Sequence, residues 1–338
     1  MKNRKSCAAV TIVGALLVIV VVTVVVSSVL FIGMPNIADL ESDGNFQNLE
    51  ILCGAIVDNI NEITFNKPGE QKIIPFTVDK GSISVDKNEY DKTIVSYSNE
   101  SDEKYNFTVT GLDDDDRRFR VLFATGWNNG LINAHIHWID GESAGKREDS
   151  PVTSEGYVDA SVELKGTVEI LINDTEIASD FLVGKIWLFD SNFLTCDLTS
   201  GETPHIISIE KGGIVYYNSQ QSRVEKSFNL DAENDYLKMQ IVNLKALKSF
   251  SIFDINVQAK ISTNSIINKV QEMKRLYFIK IQFHRHNAQT WINYIDSQYD
   301  EFVPVNSNML FYAPSDSSIY PGGVLTVFSH SLVEIDTN

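Results

Sequence analysis

Gly81-Ser82-Ile83-Ser84-Val85 alternates small polar and apolar residues with period two, the pattern of a strand with one face in a core and the other towards water. The same period continues on both sides of it. Lys72–Val78, Thr93–Tyr97, Tyr105–Thr110, Arg118–Thr125 and Ile132–Ile139 read as strands. So do Tyr157–Leu164, Gly166–Asn173, Phe181–Phe189, His205–Glu210 and Gly213–Tyr217. Leu237–Asn243, Ile252–Ile261, Leu276–Phe283, Met309–Tyr312 and Gly323–Ile335 complete the set. Pro75 lacks an amide hydrogen, so its strand belongs at an edge. Many short strands broken by Asp, Asn, Gly and Ser predict a mainly β fold, an antiparallel β-sandwich or meander.

Two segments depart from that period. Leu49, Cys53, Ile56, Ile60 and Ile63 recur at helical spacing, predicting an amphipathic helix over about 45–64 that Lys67-Pro68-Gly69 ends. A second helix is expected over 287–299, with Trp291, Ile292, Tyr294 and Ile295 on its apolar side.

The N-terminus sets the topology. Lys2, Arg4 and Lys5 precede a stretch, Ser6 to Ala38, without one charged residue. Ala8–Met34 exceeds the roughly 20 apolar residues that cross a bilayer as a helix. The basic leader holds the N-terminus in the cytoplasm, so the rest is expected outside the cell. A cleaved secretory signal would have an apolar core of about 7–15 residues and a small-x-small site, and neither fits. The organisation read from the chain is a leader over 1–6, a single transmembrane helix over 7–34, an amphipathic linking helix over 35–66 and a β-rich ectodomain over 67–338. Within it, 116–203 is a candidate inserted β-subdomain.

Charge narrows the partners. Setting aside the three leader bases leaves 25 basic against 45 acidic residues, a balance of −20. Such a surface repels nucleic acid and anionic lipid headgroups. The bilayer core, through the anchor, is the expected partner.

No nucleophile elbow, zinc-protease motif, phosphate loop or dinucleotide fingerprint is present, so the chain reads as a non-enzyme without a cofactor. His135 and His137, two apart on a strand, share one face and are weak metal candidates, set against the plainer reading of polar residues on a wet face. Asp113–Asp116 reads as a solvated acidic turn rather than a calcium loop. Asn99, Asn106 and Asn173 head Asn-x-Ser/Thr triplets, candidate glycosylation sites in an external domain. Cys7 sits at the mouth of the anchor, and Cys53 and Cys196 are candidates for a disulfide in an oxidising exterior.

Arg4-Lys5-Ser6 followed by Ala8-Ala9-Val10-Thr11-Ile12-Val13-Gly14-Ala15-Leu16-Leu17 resembles the start of archaeal type IV pilin-like proteins, with a basic leader, a small-residue cleavage point and a glycine early in the apolar helix. Pro35, the amphipathic helix, Gly81–Val85, Gly212-Gly213-Ile214-Val215-Tyr216 and Tyr277–Ile281 with Trp291–Tyr294 extend the resemblance to both ends of the chain. It implies processing around Lys5, Ser6, Cys7 and Ala8, and helix packing at Gly14 against identical or related subunits. The function implied is a minor structural subunit of a surface filament. The alternative is a permanently tethered adhesin or envelope binding protein. No glutamate follows the leader where many bacterial pilins carry one, and Cys7 stands where cleavage would fall.

Overall fold

A computed structural model describes residues 21–24, 27, 46–64, 69–76, 81–111, 118–124, 133–139, 144–153, 156–160, 166–173, 180–198, 205–218, 221–233, 235–253, 259–284, 287–313 and 323–337. The chain is mainly β. Among the described residues no helix is long and apolar enough to cross a membrane. The expected span 7–34 lies outside them except at 21–24 and 27, which are helical and exposed. The leader residues Lys5, Ser6, Cys7 and Ala8, and Gly14, also lie outside.

The amphipathic helix is present as α1, described over 46–63. Its buried stripe is Leu49, Cys53, Ile56, Val57, Ile60 and Ile63, while Ile51 is exposed on the far side. Each such side chain contributes about 2 kcal/mol by leaving water. The stripe packs on Ile83, Leu194, Cys196, Ile207, Ile209 and Ile214. Those residues come from β2 (Ser82–Val85), β11 (Leu194–Leu198), β12 (His205–Glu210) and β13 (Gly213–Tyr217). With β14 (Ser222–Lys226) and β17 (Phe250–Phe253) these strands form a six-stranded sheet ordered β14-β13-β12-β11-β2-β17. Ion pairs from Asp58 to Lys226 and from Glu62 to Lys72 flank the seam.

Among the described residues the larger sheet has twelve strands. Its spine is β18 (Ala259–His284), which pairs with β3 (Asp91–Ser98), β21 (Val324–Thr337), β1 (Gln71–Phe76) and β20 (Met309–Tyr312). β1, the strand with Pro75, is an edge, as the missing amide requires. Beyond β3 follow β10 (Phe181–Ser191), β9 (Gly166–Asn173), β6 (Asn133–Trp138) and β7 (Arg147–Pro151). Among the described strands pairing is antiparallel except between β21 and β16 (Tyr236–Ala246). A third sheet, β4 (Phe107–Thr110), β5 (Phe119–Phe123) and β8 (Tyr157–Ala160), covers part of the large one. β3 is buried at every position because both its faces are covered. Ile94 enters the core with β4 and β5, and Val95 and Tyr97 enter the core with α2 (Ala288–Gln298).

Some expectations need correction. Ile252–Ile261 is not one strand: β17 ends at Phe253 in the six-stranded sheet, and β18 begins at Ala259 in the large one. The polar run from Ser262 to Lys274 shows no alternation, yet it is strand, because the backbone of β21 pairs with it through two bulges. β7, Arg147–Pro151, was not among the expected strands. Within the candidate subdomain 116–203, β10 pairs with β3 and β11 pairs with β2.

Candidate functional site

The hairpin joining β12 to β13 turns through Lys211 and Gly212, with φ of 57° and 86°. Positive φ at both central residues is the primed turn that matches strand twist, and Asn-Gly is its usual occupant. Lysine there is uncommon, and a turn lysine normally points into water. Here Lys211 is 1% exposed. Gly213 permits this arrangement, because a Cβ on it would stand 2.6 Å from the Lys226 carbonyl oxygen and 2.8 Å from the Trp291 ring.

Lys211 turns inward to two acids. Its Nζ donates to Oδ2 of Asp91 and to Oε2 of Glu210, both at 3.0 Å. The carboxylates are 0% exposed. Trp291 Nε1 donates to Oε1 of Glu210 at 2.9 Å, and Asn287 Nδ2 donates to the same oxygen at 3.1 Å. Asn287 stands at the N-terminus of α2 in the left-handed region, φ 56°, and does not cap the helix with its side chain. It serves the cluster instead. The rings of Phe283 and Trp291 lie 5.9 Å from the ammonium, completing an apolar wall. Asp91 opens β3, Glu210 ends β12 with Lys211 in the turn after it, and Trp291 comes from α2, so three distant stretches of chain meet at one point.

The electrostatics follow from burial. Asp91 is pushed up to about 8, first by burial and then by hydrogen bonding to Glu210 and that residue's negative charge, against the pull of Lys211. Burial alone would raise Glu210 too, but the Lys211 ammonium and hydrogen bonds from Asp91, Lys211 and Trp291 hold it below the ordinary range. Burial opposes the charge on Lys211, yet the two acids outweigh it and raise its pKa. At neutral pH the cluster is therefore a neutral acid, a carboxylate and an ammonium, with no net charge. Asp91 Oδ1 receives no hydrogen bond, which suits a protonated carboxyl.

The residues singled out from sequence lie elsewhere. His135 and His137 do share a face of β6, but carboxylates engage both. Nδ1 of His135 is 2.5 Å from Asp149 and its Nε2 3.4 Å from Asp180, while Nδ1 of His137 is 3.8 Å from Glu169. Arg147 pairs with Asp149 at 2.8 Å and with Asp180 at 3.1 Å. Among the described residues no three His, Cys, Asp or Glu side chains are grouped to hold a metal. Cys53 and Cys196 are brought together between α1 and β11, fully buried and as free thiols. Asn99 is half-buried after β3, and Asn173 is exposed at the end of β9. Asn106 is half-buried, and its amide oxygen accepts from Nζ of Lys280, a buried lysine that also donates to the Phe107 carbonyl at 2.5 Å. Asp113–Asp116 lie outside the described residues.

A cleft of about 370 Å³ lies against the paired strands β11, β2 and β17, lined in part by Asp86, Glu89 and Phe193. Its Asp86 is already held by Ser249 Oγ and the Asn88 amide, each at 2.9 Å.

The chain matches no family model, and no curated protein or solved structure matches it.

The buried cluster was not among the sequence candidates. Its one local signal is Glu210-Lys211-Gly212-Gly213, a lysine standing where a hairpin turn usually has asparagine. Asp91 carries no such mark, because only the pairing of distant strands brings it to Lys211.

Proposed function

We propose that this chain is a structural cell-surface protein, a minor pilin-like subunit anchored and assembled through its N-terminal apolar helix. The reading rests on the docked helix. Residues 46–63 bury one face on a β core, and the uncharged run Ser6–Ala38 precedes them in the chain. An apolar helix tethered to a β head fits a subunit whose stalk either spans lipid or bundles with copies of itself, since both environments hide its surface from water. In this reading the N-terminus faces the cytoplasm, the β-rich part faces outside, and the bilayer and related subunits are the partners. No step of chemistry on a diffusing substrate is assigned.

The mass of the N-terminal peptide from native membranes tests the reading. A mature chain that starts at Cys7 or Ala8 supports filament assembly. An intact leader overturns it in favour of a permanently tethered adhesin.

A further inference from the structure

We infer that Lys211 and Asp91 become covalently joined by an amide bond between their side chains, with Glu210 carrying the protons. The inference stands on the buried cluster and not on the filament reading.

Three requirements of amide formation are met in one place. The nucleophile and the electrophile must be held in contact, and Lys211 Nζ lies 3.0 Å from Asp91 Oδ2. Holding reactants in a fixed pose removes much of the entropic barrier. The carboxyl must be neutral, since a carboxylate repels an attacking electron pair. Burial among apolar groups keeps Asp91 protonated at neutral pH. A base must free the amine, and Glu210 Oε2 lies 3.0 Å from the same Nζ. Trp291 and Asn287 fix the other Glu210 oxygen, so the base is oriented before reaction.

The step balances without an outside reagent. Glu210 takes a proton from the Lys211 ammonium. The free amine attacks Cγ of Asp91, forming the C–N bond and a tetrahedral centre. A second nitrogen proton moves, through Glu210, to the departing Asp91 hydroxyl. The C–O bond breaks and water leaves. An ammonium, a carboxylic acid and a carboxylate become an amide, water and a protonated Glu210. Charge is conserved, and a buried ion pair is replaced by neutral groups. Separated charges in a low-dielectric core are costly to maintain, which favours that direction. Loss of water from a site with 0–1% exposure also disfavours the reverse reaction.

The bond would join two sheets. Asp91 begins β3 in the twelve-stranded sheet, and Lys211 sits on the β12–β13 turn of the six-stranded sheet. A surface protein under tension gains from such a tie, because the sheets then cannot be pulled apart without breaking a covalent bond.

Peptide mapping by tandem mass spectrometry of the purified full chain tests this. The expected result is a branched peptide that joins the Asp91 and Lys211 segments and is one water lighter than the two together. The Glu210→Gln variant keeps the shape of the site but cannot accept the proton, and should lower the rate of joining by about a hundredfold or more. Asp91→Asn supplies a second mark, since any joining there releases ammonia rather than water. Unbranched Asp91 and Lys211 peptides from folded wild-type chain overturn the inference. So does a branch that forms equally fast in Glu210→Gln. The readout lies far from the N-terminal peptide, so failure here and failure of the filament reading are told apart.

Discussion

Nζ of Lys211 lies 3.0 Å from Oδ2 of Asp91, across 120 residues of sequence, with both side chains closed off from solvent. Closing a loop of that length covalently restricts the unfolded chain by about 5 kcal/mol on the chain-entropy treatment used for disulfides. Wild-type protein should therefore resist urea more than Glu210→Gln by an amount of that order. Equal midpoints in the two chains would exclude a covalent tie.

Removing only the cation should be severe. Lys211→Met leaves Asp91 and Glu210 buried together without the ammonium, and orphaning a buried charge costs about 3–5 kcal/mol. Adding Asp91→Asn and Glu210→Gln to that variant should recover most of the orphaned-charge penalty. Urea unfolding of the single and triple variants, neither of which can form the amide, isolates it.

Lys280 should give stability a rising limb at alkaline pH. Burial lowers its pKa from 10.5 to about 7 in the folded chain. Between those values the unfolded chain binds the proton and the folded one does not, so stability climbs as pH rises from about 7 to 10.5. Below about 7 both states are protonated and the limb is flat. Lys280→Met should abolish the climb, as followed by chemical denaturation at stepped pH.

Gly213→Ala should destabilise the hairpin that presents Lys211. Its Cβ would meet the Lys226 carbonyl at 2.6 Å and the Trp291 ring at 2.8 Å, and neither can withdraw without disturbing the core. Overpacking of this kind costs about 1–3 kcal/mol. A lowered melting temperature by circular dichroism, with an unchanged spectrum at low temperature, is expected.

The Cys53 and Cys196 thiols should be silent towards iodoacetamide in the folded protein. Both are 0% exposed, and burial, then contact with Cys53, drives the Cys196 pKa well up, which suppresses the reactive thiolate. Full labelling after denaturation without reductant would show that they remain thiols. Labelling only after reductant would show that the pair had been oxidised.

The sequence carried the local part of this protein. Period two at Gly81–Val85 and Gly166–Asn173, and helical spacing from Leu49 to Ile63, are properties of neighbouring residues, so strands and helix were legible from them. The edge position of β1 was equally local, because it follows from one missing N–H at Pro75. Long-range pairing was not legible. Ser262–Lys274 holds its extended form through the backbone of β21, and β7 through that of β6, and backbone hydrogen bonds leave no trace in side-chain pattern. The cluster belongs to the same class. Asp91, Glu210, Lys211 and Trp291 read as ordinary polar and aromatic residues along the chain. Only the packing of two sheets and α2 excludes water from them, and that exclusion is what leaves one acid protonated beside a lysine and a base.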